Sequence, residues 1–104
     1  MMRAIGYYTG GEASVLEDLQ LPEPTPGPRD LLIEVRAVSV NPVDTKVRCN
    51  NPDGTDPKVL GWDAVGVVRA TGAEVTLFEA GDEVWYAGSI IRPGANSELH
   101  LVDE

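Results

Sequence analysis

Six polar or aromatic side chains, grouped in two short segments, are the candidates for chemistry in this chain. They are Asn41, Asp44, Lys46, Arg48, Trp62 and Asp63. The set offers an amide, two carboxylates, two cations and an indole, but neither an imidazole nor a thiolate. Such groups can donate or accept hydrogen bonds, and one donor that is preorganised in a dry site and meets developing charge is worth about 2–4 kcal/mol.

The chain has one cysteine and one histidine, and neither belongs to this set. A single cysteine can form no internal disulfide and no closed cysteine zinc site. Cys49 has no histidine near it in the sequence, so a nucleophilic role is not predicted. We expect His100 to be a half-exposed residue of the last strand, far from the two candidate segments.

Length and charge narrow the class of protein. The 104 residues are enough for one domain and too few for two. The net charge of −9 comes from scattered acids and disfavours a nucleic-acid partner or an anionic membrane, which both require clustered Lys and Arg. Because the N-terminus lacks a signal peptide's apolar core and no apolar run reaches the ~20 residues of a membrane span, a cytoplasmic location is expected.

Strand patterns dominate the elements that must position the candidates. Alternating or apolar runs predict strands over residues 3–8, 15–21, 30–40, 64–71, 83–87 and 95–102. Leu31, Ile33, Val35 and Ala37 should share one face, and 64–71 should be buried on both faces. A mainly β fold follows, an irregular barrel with one short helix.

That helix is predicted to run from Pro42 to Arg48, because proline at the first helical position loses no needed donor. Asn41 would be its N-cap. The proline-rich stretch 22–28 predicts an extended surface connection, since each ring removes a backbone donor. The polar residues 50–58 predict an exposed, mobile loop.

Three local patterns, in this order, carry a resemblance to a known family. They are Asn41-Pro42-Val43-Asp44, Gly61-Trp62-Asp63-Ala64-Val65-Gly66-Val67-Val68 and Gly81-Asp82-Glu83-Val84. With the first strand and the proline-rich connection upstream, nearly the whole chain resembles the catalytic domain of the medium-chain dehydrogenase/reductase superfamily. The resemblance implies a GroES-like irregular β-barrel that precedes a Rossmann domain.

The resemblance also assigns expected roles. Zinc alcohol dehydrogenases of the superfamily carry a ligand Cys at the place of Asn41, a relay Ser or Thr at that of Val43, and His-Glu at that of Trp62-Asp63. Since an amide, a valine and an indole cannot replace such ligands, the chain resembles the zinc-independent, quinone-oxidoreductase-like branch, and we expect no metal. Asn41 is then expected beside the nicotinamide, with Trp62 and Asp63 bordering the substrate pocket.

Three further side chains have less specific expectations. Asp44 is, with Asn41, a candidate catalytic residue, and we expect it to orient its neighbours rather than to act as an acid. Lys46 stands where many quinone-reductase relatives have Tyr. Lys46 and Arg48 either contact a cofactor phosphate or are simply solvated, and both alternatives stay open.

The sequence contains no Gly-x-Gly-x-x-Gly fingerprint that follows a strand and begins a helix. The nucleotide-binding domain of such an enzyme is therefore not predicted within these residues. Residues 1–104 are therefore expected to be an N-terminal catalytic domain, truncated before the Rossmann domain and inactive alone. By resemblance, the complete enzyme would use NADPH to reduce a quinone or an α,β-unsaturated carbonyl, and could form a homodimer. The alternatives are a stand-alone GroES-like binding or assembly module and a zinc-dependent alcohol dehydrogenase-like enzyme.

Overall fold

The computed structural model describes residues 1–50 and 56–104, so the loop predicted for 50–58 lies largely outside the described residues. The described ranges form seven strands, one α-helix and a short 3₁₀ turn at Ala13–Val15. In chain order the main elements are β1 (Met2–Tyr7), β2 (Glu17–Leu21), β3 (Asp30–Ser39), α1 (Pro42–Asn50), β4 (Lys58–Val59), β5 (Asp63–Thr71), β6 (Glu83–Ala87) and β7 (Leu99–Asp103). The expected mainly β class with one short helix is confirmed.

The strands form two antiparallel sheets. The smaller sheet has the order β2-β1-β4 and the larger one β6-β5-β3-β7. An isolated bridge between Ala4 and Ser97 links β1 to the segment that leads into β7. Predicted strand ends agree with the observed ones within a few residues, except that β7 begins at Leu99 and not at 95. The two-residue β4 was not predicted, because so short an element leaves no periodic signal.

The central strand β3 departs from simple alternation. Leu31 and Ile33 are buried as predicted, but Val35 is half-buried and Ala37 is exposed. Register shifts in the pairing with β5, between Leu32 and Ile33 and again beyond Val35, change which face each residue presents. A bulge inserts one unpaired residue and re-aims those that follow, which explains the failure of the predicted pattern.

The prediction that residues 64–71 are buried on both faces is wrong. Ala64, Gly66 and Val68 are buried, whereas Val65 between them is 43% exposed. The strand alternates because only one face of the larger sheet packs against the rest of the described chain. Small β-branched residues on both faces therefore did not indicate a doubly covered strand.

Two buried clusters fix the elements around the candidate residues. Tyr7, Leu60 and Trp62 form one cluster, and Val47 of α1 packs against it. Leu31, Ile33 and Val68 form the other, inside the larger sheet. Each such side chain stabilises the fold by about 1.5–3 kcal/mol when fully buried. The first cluster therefore seats α1 and Trp62 against the smaller sheet.

In the described part of the chain, no helix has the length and apolarity required to cross a bilayer.

Candidate active site

A buried carboxylate ties the start of α1 to the turn before β5. Asp44, only 6% exposed, accepts the N–H of Asn41 through Oδ2 at 2.7 Å and the N–H of Gly61 through Oδ1 at 2.9 Å. Gly61 has φ +95°, a left-handed conformation that favours glycine, and an added Cβ would lie 2.7 Å from the Asn96 side chain. The Asp44 carboxylate thus joins the two candidate segments through their backbone atoms.

Asn41 begins the helix, but not as predicted. The Asp44 N–H donates to the backbone carbonyl of Asn41 at 3.0 Å, while the Asn41 side chain donates through Nδ2 to Asp63 Oδ2 at 2.8 Å. Asn41 therefore caps α1 through its backbone, and the reciprocal half of the cap is the Asp44 carboxylate. Because a carboxylate only accepts, Asp63 fixes which end of the amide faces it and leaves the second N–H and Oδ1 of Asn41 available.

Trp62 is a buried wall residue. Its ring packs with Tyr7 and Leu60, and its Nε1–H donates to the backbone carbonyl of Arg92 at 3.3 Å. The Trp62 carbonyl in turn accepts the N–H of Gly88 at 2.6 Å. The indole therefore connects the core below α1 to residues 88–94, which we call the wall segment.

A cleft of about 710 Å³ opens between α1 and the wall segment. Most of its lining is apolar, and the charged side chains that it contains among the described residues are Lys46, Lys58, Arg92 and Asp56. The lining is Val43, Lys46, Val47, Asp56, Pro57, Lys58, Val59, Leu60, Trp62, Ile90, Ile91, Arg92 and Pro93. Pockets of 300–1,000 Å³ with predominantly apolar linings and few polar groups are typical of small-molecule sites. A smaller cleft of about 460 Å³ borders Asp63 and Trp85 on the outer face of the larger sheet.

The six candidates therefore divide into three groups. Asn41, Asp44 and Asp63 form one hydrogen-bonded network, and Lys46 and Trp62 line the larger cleft. Arg48 is engaged elsewhere: its Nε donates to the carbonyl of Gly11 at 2.9 Å, and its own carbonyl accepts the Gly11 N–H at 3.0 Å. Arg48 thus fastens α1 to the turn after β1. Cys49 is exposed, with Sγ 3.5 Å from the same Gly11 carbonyl oxygen.

The expectation for His100 is wrong in both respects. His100 is 4% exposed, and its ring and that of Trp62 both border Gly88. Its Nε2 lies 3.0 Å from the Pro93 carbonyl oxygen and its Nδ1 lies 2.7 Å from the Tyr86 hydroxyl. Because a carbonyl only accepts, the proton is on Nε2, and Nδ1 accepts the Tyr86 hydroxyl hydrogen. Burial lowers the pKa of His100, which favours the neutral ring, and raises the pKa of Tyr86.

An ion pair between Arg92 and Asp30, which the sequence did not predict, anchors the wall segment to β3. The Arg92 guanidinium binds both carboxylate oxygens of Asp30, with Nη1–Oδ1 at 2.9 Å and Nη2–Oδ2 at 3.0 Å. The hydrogen bond from Arg92 holds the pKa of the Asp30 carboxyl below its ordinary value. The two residues are 62 positions apart, and nothing in their local sequence pairs them.

The zinc-ligand positions implied by the resemblance do not fit a metal. Asn41 offers an amide nitrogen without a usable lone pair, and Trp62 offers an indole N–H that only donates. Both groups are also hydrogen-bonded within the protein. Across residues 1–50 and 56–104, no three His, Cys, Asp or Glu side chains cluster closely enough to bind a metal ion.

Comparison with known families decides where this fold belongs. The model of the alcohol dehydrogenase GroES-like domain matches residues 27–100. The chain belongs to that family. This confirms the resemblance to the medium-chain dehydrogenases and the GroES-like fold expected from three short motifs.

Nearly all of this chain matches about a third of each individual relative. A zinc-type alcohol dehydrogenase-like protein of Staphylococcus epidermidis is 42% identical over 99% of this chain and 31% of its own length. A solved structure from Rhizobium etli, described as a zinc-dependent alcohol dehydrogenase protein, is 57% identical with a TM-score of 0.93, over 98% of this chain and 31% of that one. The chain thus spans about a third of the length of the relatives that it matches.

Two further solved structures carry other names. A quinone oxidoreductase of Pseudomonas syringae is 36% identical with a TM-score of 0.91, over 100% of this chain and 32% of that one. Mycobacterial Rv1454c, solved in complex with NADPH, is 32% identical with a TM-score of 0.82, over 99% of this chain and 30% of that one. The domain is therefore similar both to proteins named as zinc-type alcohol dehydrogenases and to proteins named as quinone oxidoreductases.

Proposed function

We propose that this chain is the N-terminal catalytic domain of an oxidoreductase that reduces quinones or α,β-unsaturated carbonyls with NADPH and without zinc. The observation that carries the proposal is the state of the two ligand positions. The Asn41 amide donates to Asp63, and the Trp62 indole donates to the Arg92 carbonyl. An amide and an indole N–H at the positions of thiolate and imidazole are not the ligands that catalytic zinc uses, which supports a reaction without the metal.

The cofactor in this proposal is held by the two thirds of the protein that the relatives have beyond this domain. NADPH would supply the hydride, and the support for it is the family together with the NADPH complex of a similar mycobacterial structure. From this chain, Asn41 would face the nicotinamide, and the exposed cation of Lys46 would reach a phosphate. Arg48 is a weaker candidate for that contact because its side chain is bonded to Gly11.

The chain's own residues would bind and polarise the substrate. The apolar cleft between α1 and the wall segment would hold the body of a quinone or enone and exclude water from it. Asn41 lies in sequence between Ser39 and Val43, which line the smaller and the larger cleft respectively. Its second N–H would donate to the carbonyl oxygen that gains negative charge, with Asp63 holding the amide in orientation. Asp44 would keep that amide in place by binding backbone, without touching the substrate.

The test uses the full-length protein, dialysed and analysed for metal before assay. We expect far less than one zinc per chain, and NADPH oxidation that depends on an added quinone. Retention of one equivalent of zinc against a mild chelator, together with alcohol oxidation, would establish the zinc-dependent alternative. A native protein with the mass of this chain alone and no reductase activity would establish the binding-module alternative.

The cytoplasmic location and the homodimer expected from the sequence remain part of the proposal.

A further inference from the structure

We propose that Asp30 is a positioning residue for substrate binding, which acts through Arg92 on the apolar wall of the cleft. The wall segment, residues 88–94, places Ile90 and Ile91 in the cleft lining. This inference rests on the proposed function, because it takes the larger cleft to be the substrate site.

The tip of the wall segment is apolar and exposed. Ile90 is 57% exposed and Ile91 is 90% exposed, although both line the cleft. A single exposed apolar residue is ordinary, but two adjacent isoleucines that face an apolar cleft offer a surface for an apolar ligand. Such a surface selects ligands only if the segment that carries it is held in one conformation.

Bonds inside the wall segment are too few to hold it. The Arg92 N–H donates to the Ser89 carbonyl at 3.1 Å, and the Ile91 N–H lies 3.4 Å from the Ser89 hydroxyl. At the ends, Gly88 and Gly94 donate to the carbonyls of Trp62 and Val59. These bonds form a turn with fixed ends, and the conformation of its tip depends on further anchors.

Three anchors converge on Arg92 and Pro93, directly after the isoleucines. The Arg92 carbonyl accepts the Trp62 indole N–H, and the Pro93 carbonyl accepts the His100 Nε2–H. The Arg92 guanidinium is bound at two points by Asp30. A bidentate Arg–carboxylate pair fixes the orientation of the guanidinium as well as its distance from the carboxylate. In this way the pair restrains Arg92 and, with it, the adjacent isoleucines.

Asp30 is suited to this role because it is fixed and lies outside the cleft. Its Oδ2 also accepts the Gly27 N–H at 2.9 Å, and its backbone belongs to β3. Among the described residues that line the cleft, Arg92 is present and Asp30 is not. The ion pair with Arg92 links the Asp30 side chain to this lining, and it is the route by which Asp30 would influence substrate binding.

The kinetic test compares two isosteric changes on β3 of the full-length protein. Asp30→Asn weakens the pair with Arg92, whereas Glu34→Gln weakens an exposed pair with Arg36 at 3.4 Å and is the matched control. We expect Asp30→Asn to raise KM for an apolar quinone by about tenfold with kcat within about twofold, the signature of lost uniform binding. Glu34→Gln should leave both constants unchanged, and equal effects of the two variants would overturn the proposal.

A double-mutant cycle with Ile91→Ala tests the route. If Asp30 acts through the wall, Asp30→Asn should not raise KM further once the Ile91 side chain is gone. Multiplicative effects of the two substitutions on KM would contradict the proposed route, since they would make Asp30 independent of the wall.

A spectroscopic readout makes the inference independent of turnover. In 5-fluorotryptophan-labelled protein, the Trp62 resonance is assigned by its loss in Trp62→Phe. We expect Asp30→Asn to shift or broaden it, because the Trp62 indole binds the Arg92 carbonyl, and Glu34→Gln to leave it unchanged. An unmoved Trp62 resonance overturns the proposal whatever the kinetics. Absence of quinone reduction by the unmodified protein would sink the proposed function instead, while this resonance still decides whether Asp30 positions the wall.

Discussion

The two sides of the larger cleft are held by different kinds of contact. On the α1 side, Asp44 binds backbone N–H groups three and 17 positions away. On the other side, the wall segment depends on the side chains of Asp30 and His100, and Asp30 is 62 positions from its partner Arg92. The first side is a backbone frame, and the second is a loop fastened by side chains.

For the proposed function, the difference indicates that the α1 side positions the Asn41 amide and that the wall segment selects among substrates. On the α1 side, Asp44 fixes the backbone of Asn41, and Asp63 then orients the Asn41 amide. A loop fastened by side chains can change shape when one anchor changes, and so it suits the part of a cleft that selects among substrates. The predictions below test the frame first and the loop last.

The largest effect should follow Asp44→Asn in the full-length protein. The amide has one acceptor oxygen for two N–H donors and turns its NH₂ group toward one of them, leaving a buried mismatch. At about 1.5–3 kcal/mol for each bond to a charged group, we expect a loss of ~3–5 kcal/mol in unfolding free energy, measured by chemical denaturation. Asp18→Asn, at an exposed position of β2, is the control and should stay within about 0.5 kcal/mol. Similar losses in the two variants would mean that Asp44 does not hold the frame.

The next effect concerns the amide that the frame positions. We expect Asn41→Ala to lower kcat/KM by about 30-fold to several hundred-fold, a loss of ~2–4 kcal/mol of transition-state stabilisation. Its melting temperature should change little, since Asn41 caps α1 through its backbone and its side-chain bond to Asp63 is exposed.

Lys46→Ala is the matched comparison for Asn41→Ala, because Lys46 lies on the same helix and lines the cleft. Its effect should be smaller and should shrink as salt is added, since the Lys46 side chain is exposed. If Asn41→Ala were folded and within about threefold of the parent in kcat/KM, Asn41 would be a structural residue alone.

The smallest effect is a pH dependence on the wall side. Burial lowers the pKa of His100, so the unfolded chain binds a proton more readily than the folded one. The stabilisation is complete above the unfolded value of about 6.5 and is lost as the pH falls below it, at a slope approaching 1.4 kcal/mol per pH unit. His100→Gln, which keeps a side-chain N–H donor but does not titrate, should remove this slope. Unfolding free energies of both proteins between pH 7 and 5 provide the measurement, and parallel curves would contradict it.

What the sequence predicted well is local. Pro42 marks the start of α1 because its ring fits the first helical turn, and the alternation at the start of β3 predicts the burial of Leu31 and Ile33. The grouping of Asn41, Asp44 and Asp63 also follows from two short motifs, although the Asn41–Asp63 bond itself does not. Such signals survive because the residues that make them are close in sequence or repeat with a fixed period.

What the sequence did not predict depends on contacts between distant residues. Bulges in β3 expose Ala37, and one-sided packing exposes Val65 in a strand whose composition indicated full burial. His100 stands in an ordinary strand pattern, and only the carbonyl of Pro93 and the hydroxyl of Tyr86 make a buried imidazole tolerable there. The sequence around Arg92 indicates an exposed cation, because its partner Asp30 lies 62 positions away and only the fold brings the two side chains together.

The Asp44 bonds have a consequence for how such a domain evolves. Asp44 holds the peptide groups of Asn41 and Gly61, so these two bonds do not depend on the side chain carried at position 41. A substitution at position 41 leaves both bonds in place, whereas a substitution of Trp62 removes a buried ring that packs with Tyr7 and Leu60. The chemical group at position 41 can therefore change during evolution while the backbone that presents it stays in place.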